Sequence, residues 1–75
     1  MPKLSRVTAK KVLMALLRFG FYIHHQTGSH ANLRHKLKSH LRVVIPVHGK
    51  ELAPKTVKSI IVQCELTVEQ FLELL

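Results

Sequence analysis

Between Thr8 and Gly20 the apolar residues fall at helical spacing, and directly after Gly20 the pattern changes to that of strands. This switch restricts the chain to a mixed fold. Ala9, Val12, Leu13, Leu16 and Leu17 repeat at i, i+3, i+4, i+7 and i+8, which makes one apolar face of a helix over residues 8–19. Thr8 suits the N-cap because its hydroxyl can accept from a free backbone N–H of the first turn. Gly20 suits the position after the helix because it tolerates a left-handed backbone. Lys10, Lys11, Met14 and Arg18 fall on the opposite side of the helix.

Phe21, Tyr22 and Ile23 are strand formers, and a first strand is expected over residues 21–26. Thr27-Gly28 reads as a hairpin turn, with a second strand from about Ser29 to His35. A Lys-rich connection over residues 36–40 leads to Leu41-Arg42-Val43-Val44-Ile45-Pro46-Val47, the clearest strand in the chain. Pro46 points to a strand end or a sheet edge. His48-Gly49-Lys50 reads as a loop. Pro54 suits the first turn of a second helix, along which Val57, Ile60, Ile61 and Cys64 form another apolar stripe. Thr67-x-x-Gln70 is a capping-box pattern that opens a short last helix bearing Val68, Phe71, Leu72 and Leu75.

The expected fold is therefore α+β: a two-layer αβββα domain with a short extra C-terminal helix. Double-stranded-RNA-binding domains share this order. At 75 residues one domain spanning 1–75 is expected, large enough for one core and too small for a deep cofactor pocket. Phe19, Phe21 and Phe71 are assigned to the core, and core packing is preferred for Tyr22 as well.

The formal net charge is +8, and its distribution is uneven. Lys3, Arg6, Lys10, Lys11, Arg18, Arg34, Lys36, Lys38, Arg42 and Lys50 lie in the first fifty residues, which hold no Asp or Glu. Glu51, Glu65, Glu69 and Glu73 all come later. Such a basic body attracts phosphate chains. The single cysteine, Cys64, excludes an intramolecular disulfide, fits a reducing compartment, and sits in a stripe that favours the core over a nucleophile. No apolar h-region follows Met1-Pro2-Lys3-Leu4-Ser5-Arg6, and no run approaches the ~18 apolar residues of a membrane span. A cytoplasmic protein with no membrane association is expected.

Six histidines are the outstanding chemical feature: His24, His25, His30, His35, His40 and His48. Structural metal sites want Cys/His pairs at short regular spacing, and this chain offers one cysteine and no acid among the histidines. No metal and no cofactor are expected. Proton transfer on RNA suits the set better. RNA carries its own nucleophile in the 2′-OH, so cleavage needs a base, an acid and positive charge for the transition state. An imidazole serves either proton transfer near neutral pH.

His30 follows Gly28-Ser29 at the mouth of the expected hairpin, where glycine lets backbone approach a phosphate and Ser29 offers N–H and O–H donors. It is the favoured histidine. His24 and His25 are adjacent and are expected to point to opposite faces of a strand. His35, His40 and His48 are expected on the surface or in loops. The expected RNA contacts are Lys10, Lys11, Gly28, Ser29, Arg34, Lys36, Lys38 and Arg42. The second proton-transfer group is open among Lys36, Lys38, His24 and His25.

The residues also carry a resemblance. Lys11-Val12-Leu13 through Gly20-Phe21, Gln26-Thr27-Gly28-Ser29-His30, and Val43-Val44-Ile45-Pro46-Val47-His48 are similar, in order, to the HicA toxin family. So are Glu51-Leu52-Ala53-Pro54-Lys55-Thr56 and Leu66-Thr67-Val68-Glu69-Gln70-Phe71. The resemblance implies a double-stranded-RNA-binding-like fold and the toxin role in a toxin–antitoxin system. It implies an endoribonuclease that cleaves mRNA, halting translation and growth until a HicB-type antitoxin neutralises it. The family's catalytic histidine maps onto His30, with Gly28 and Ser29 shaping the site. Homodimers and toxin–antitoxin hetero-oligomers are both compatible assemblies. The alternative functions are a non-catalytic RNA- or DNA-binding module using the same basic face, and a structural partner subunit.

Overall fold

A computed structural model describes residues 7–47, 49 and 51–75. The elements are β1 (Val7–Thr8), α1 (Ala9–Phe19), β2 (Phe21–Thr27), β3 (His30–His35), β4 (Arg42–Pro46), β5 (Glu51–Leu52), α2 (Pro54–Gln63) and α3 (Val68–Leu74). A helix, a three-stranded antiparallel sheet in the order β2-β3-β4, and two further helices make the expected α+β fold.

Both ends of α1 are set by local chemistry. The Thr8 hydroxyl accepts from the Lys11 N–H at 3.2 Å, and Gly20 takes φ 113° and donates to the Leu17 carbonyl. Pro54 begins α2 where its missing N–H costs nothing. The capping box of α3 is complete: the Gln70 N–H donates to the Thr67 hydroxyl at 3.1 Å, and the Thr67 N–H donates to the Gln70 carbonyl oxygen at 2.9 Å.

α1 and α2 pack on one face of the sheet, and α3 packs against both helices. The core between the layers is Val12, Leu16, Phe21, Ala31, Leu33, Val43, Ile45, Val57, Ile60, Ile61, Cys64 and Phe71, all buried. Residues alternate across a strand, so Ala31, Leu33, Val43 and Ile45 face the helices while His30, Asn32, Arg34, Arg42, Val44 and Pro46 face away. Among the described residues that second face carries no helix. Ala15 is buried on α1, whereas Leu17, assigned to the apolar stripe, is 38% exposed. Phe19 is half-buried and packs against the core rather than within it.

Two features depart from the expected scheme. β1 and β5 pair as a separate two-stranded sheet, Val7 with Leu52 and Thr8 with Glu51. His35, expected on the surface, is 6% exposed. It has the same parity along β3 as Ala31 and Leu33, so it points to the helices. Its Nδ1 accepts from the Leu37 and Lys38 N–H groups, each at 3.1 Å, so Nε2 carries the hydrogen and donates to the Phe19 carbonyl at 2.9 Å. The Phe19 and Phe21 rings meet the imidazole edge-on at 5.2 and 5.0 Å. His35 thus ties the end of α1 to the turn after β3.

Candidate functional site on the open face of the sheet

The open face is built in rows by the strand register. Tyr22, Arg34 and Arg42 form one row, because Tyr22 pairs with Arg34 and Arg34 with Arg42. His25, Asn32 and Val44 form the next. Thr27, His30 and Pro46 form the last. The three strands contribute two guanidiniums and no carboxylate to this face. A phosphate chain lying across it meets positive charge at one end and imidazoles at the other.

His30 is exposed and is the first residue of β3. The turn before it is Gly28-Ser29, with Gly28 at φ 58°, which only glycine adopts freely at the first position of such a hairpin. The Val47 N–H donates to the Ser29 carbonyl, which pins the turn against the end of β4. The Gln26 amide adds a bond to the Gly28 carbonyl at 3.4 Å. No side chain lies within 4 Å of where a Cβ on Gly28 would stand. The backbone beside His30 is therefore open to a ligand.

His24 and His25 do not point to opposite faces. The β2–β3 register slips between Ile23 and His25, so β2 holds one residue more than its partner. A bulge of this kind turns two successive side chains to the same side. The two imidazoles consequently touch, Nδ1 to Nδ1 at 2.8 Å, with ring planes at 76°. The His24 pKa lies below its ordinary value of 6.5, first because Arg34 is close, then through loss of solvent, then through His25 and Arg42. The contact with His25, which pairs with Asn32, sets the His24 ring on the open face.

Tyr22, assigned to the core, is instead 39% exposed on the open face opposite Arg34. The strand formers before the bulge alternate, and Phe21 takes the inward position. An aromatic ring is thus available to a base after all.

A family model described as HicA toxin of bacterial toxin-antitoxin matches residues 9–66. The chain belongs to the HicA toxin family. The match takes in α1, the whole three-stranded sheet and α2, and stops before α3. No curated protein matches the chain.

Of the residues expected to touch RNA in this HicA chain, Gly28 and Ser29 stand beside His30, while Arg34 and Arg42 share its face at the other end of the sheet, roughly 13 Å along β3. Lys10 and Lys11 are exposed on the first turn of α1, in the helical layer. Lys36 and Lys38 follow the far end of β3. Lys36 is six residues from His30, roughly 20 Å along an extended strand. The Lys38 ammonium stands 6.0 Å from the centre of the Phe19 ring. Neither lysine can share a phosphate with His30, which leaves His24 and His25 as the neighbouring imidazoles. His40 lies on the surface, 3.2 Å from Glu65 in an exposed ion pair. His48 and Lys50 lie outside the described residues, and so does the 1–6 segment.

Cys64 is buried against the core, and loss of solvent pushes its thiol up to about 12. It is a packing residue, as its stripe implied. Among the described residues no three His, Cys, Asp or Glu side chains are placed to hold a metal ion, and no helix is long and apolar enough to cross a membrane.

Proposed function

We propose that this HicA chain is a metal-independent endoribonuclease of the cytoplasm, one HicA-like domain over residues 1–75, that cleaves mRNA with His30 in proton transfer. The observation that carries the reading is the position of His30. It stands exposed at a strand start, directly after an open glycine turn, on a sheet face with two guanidiniums and no carboxylate. RNA supplies the 2′-OH nucleophile, so the protein need only move protons and stabilise charge on the phosphate. Arg34 and Arg42, at the other end of the face, would hold neighbouring phosphates of the chain, and their forked donors match phosphate oxygens. Gly28 and Ser29 let backbone approach the chain. Tyr22 offers a stacking surface.

The antitoxin reading follows from the same face. An acidic surface of a HicB-type partner laid over Arg34, Arg42 and His30 would displace RNA from all of them at once. Binding that weakens steeply with salt is the expected signature.

The test is purified protein incubated with long single-stranded RNA in EDTA. Wild-type protein should cleave it, and a folded His30→Ala protein should cleave at least about 10²-fold more slowly. Undiminished cleavage by the variant would overturn the role of His30. Intact RNA with a salt-sensitive gel shift would instead identify a non-catalytic binder.

A further inference from the structure

We propose that His25 is the general base of the cleavage reaction and that His24 is its positioning residue, leaving His30 as the general acid. The inference rests on the RNA-cleavage reading above and adds the second proton carrier to it. Three observations support it: the bulge, the ring contact and the register.

The bulge makes His24 the extra residue of β2 and sets its ring beside that of His25 on the open face. A contact between two Nδ1 atoms at 2.8 Å holds a single hydrogen. One ring donates from Nδ1, and the other accepts there. Both rings cannot be imidazolium while the contact lasts, so a neutral imidazole is always present. The donating ring, when neutral, has a bare Nε2, which is a base. When that Nε2 takes a proton, the charge strengthens the bond to the accepting ring. The bond thereby orients the donating ring with its Nε2 free for the proton-accepting step.

The register assigns the two rings, because His25 is the paired residue diagonal to His30 whereas His24 is unpaired, and the charge map agrees with it. The Arg34 guanidinium disfavours a positive His24. His24 is the accepting ring, so His25 is the one that gains the proton. The groups facing the couple are Arg34 from β3, Arg42 from β4, and Tyr22 and His30 on the same face.

The register supplies the distance. His25 pairs with Asn32, and Thr27 pairs with His30, so His25 and His30 are diagonal neighbours across β2 and β3. Diagonal residues of this kind are roughly 7–8 Å apart at Cα. Two imidazoles at that separation can flank one phosphate from opposite sides. His25 Nε2 then takes the 2′-OH proton as the 2′-oxygen bonds to phosphorus. The bond from phosphorus to the 5′-oxygen breaks, and His30 gives its proton to that oxygen. The products are a 2′,3′-cyclic phosphate and a 5′-OH, with no co-reactant.

The experiment compares two substrates in the full chain: RNA, and a nucleoside 3′-(4-nitrophenyl phosphate), whose leaving group departs without a proton. His25→Ala should lose about 10²–10⁴-fold on both, because both need the base. His30→Ala should be impaired on RNA and retain most of its rate on the aryl ester. His24→Gln keeps an oxygen to accept from His25 and should retain more activity than His24→Leu. Thermal melts of each variant check folding, which these exposed positions should not disturb. Wild-type rates for His25→Ala on RNA, with active wild type, would overturn the inference alone. Loss on RNA only, with an intact aryl rate, would make His25 the acid and overturn the assignment. A wild-type protein inert on both substrates would instead overturn the cleavage reading itself.

Discussion

Substituting Gly20 by alanine should cost this domain a large part of its stability. Gly20 has φ 113°, outside the range that residues with a Cβ adopt without strain. Strain of this kind costs about 1–3 kcal/mol. The added Cβ would also stand 2.8 Å from His35 Nε2 and 3.0 Å from His35 Cε1. The imidazole has little room to retreat: it is bonded to the Phe19 carbonyl and to two backbone N–H groups, and two phenyl rings abut it. Moving it breaks a part-buried hydrogen bond, a loss of about 1–3 kcal/mol. Together these give about 2–6 kcal/mol, against roughly 4–11 kcal/mol for a chain of this length. At about 4–8 °C per kcal/mol, the melting midpoint should fall by at least about 8 °C. Urea titration followed by circular dichroism measures the loss directly. Repeating it in a His35→Ala background removes the clash and leaves the strain, so the alanine penalty should shrink to about 1–3 kcal/mol. A Gly20→Ala protein within about 1 kcal/mol of the parent, or an equal penalty in both backgrounds, would refute this account of the joint.

Three shorter predictions follow from other positions. Thr67→Ala removes the cap of α3 and half of its capping box, and should destabilise the fold by about 1 kcal/mol in a thermal melt. Cys64, with its thiol raised to about 12 by burial, should resist an alkylating reagent at pH 8 in the native protein and react promptly in urea; rapid native labelling would contradict its burial. Arg34→Ala removes the positive charge that most disfavours the His24 imidazolium, so the His24 titration followed by NMR should move to higher pH, and the salt slope of RNA binding should fall by about one.

The legible parts of this fold are those whose signals are local. Thr8, Gly20, Pro54 and the Thr67–Gln70 pair each act on the backbone within a turn, so the helix ends could be read directly. The Thr27-Gly28 turn placed the middle strand, and alternation from Ala31 through Leu33 implies a buried His35; the polarity of histidine masked it. The β1–β5 pair left no trace because two-residue strands have no period, and their partners lie more than forty positions apart. The histidine couple was hidden for a different reason. A bulge is a property of two strands together, and β2 read alone predicts His24 and His25 on opposite faces. Within the candidate site, His30, Arg34 and Arg42 share a face through simple parity. Lys36 and Lys38 share only their charge with that group, and charge does not report which end of a strand a residue occupies.

The bulge has a further consequence for how such a site can vary. Ile23 pairs with Leu33 and His25 with Asn32, so the partners run on without a gap while the chain carries one residue between them. Taking His24 out of the pairing scheme leaves every other residue of β2 opposite its present neighbour. The second imidazole is therefore separable from the scaffold. It can be gained or lost by a one-codon insertion or deletion, with Phe21 still in the core, Tyr22 still beside Arg34 and the Gly28-Ser29 turn still leading into His30. Length change in a strand usually throws its faces out of phase; at this one position it changes only the number of imidazoles beside the turn.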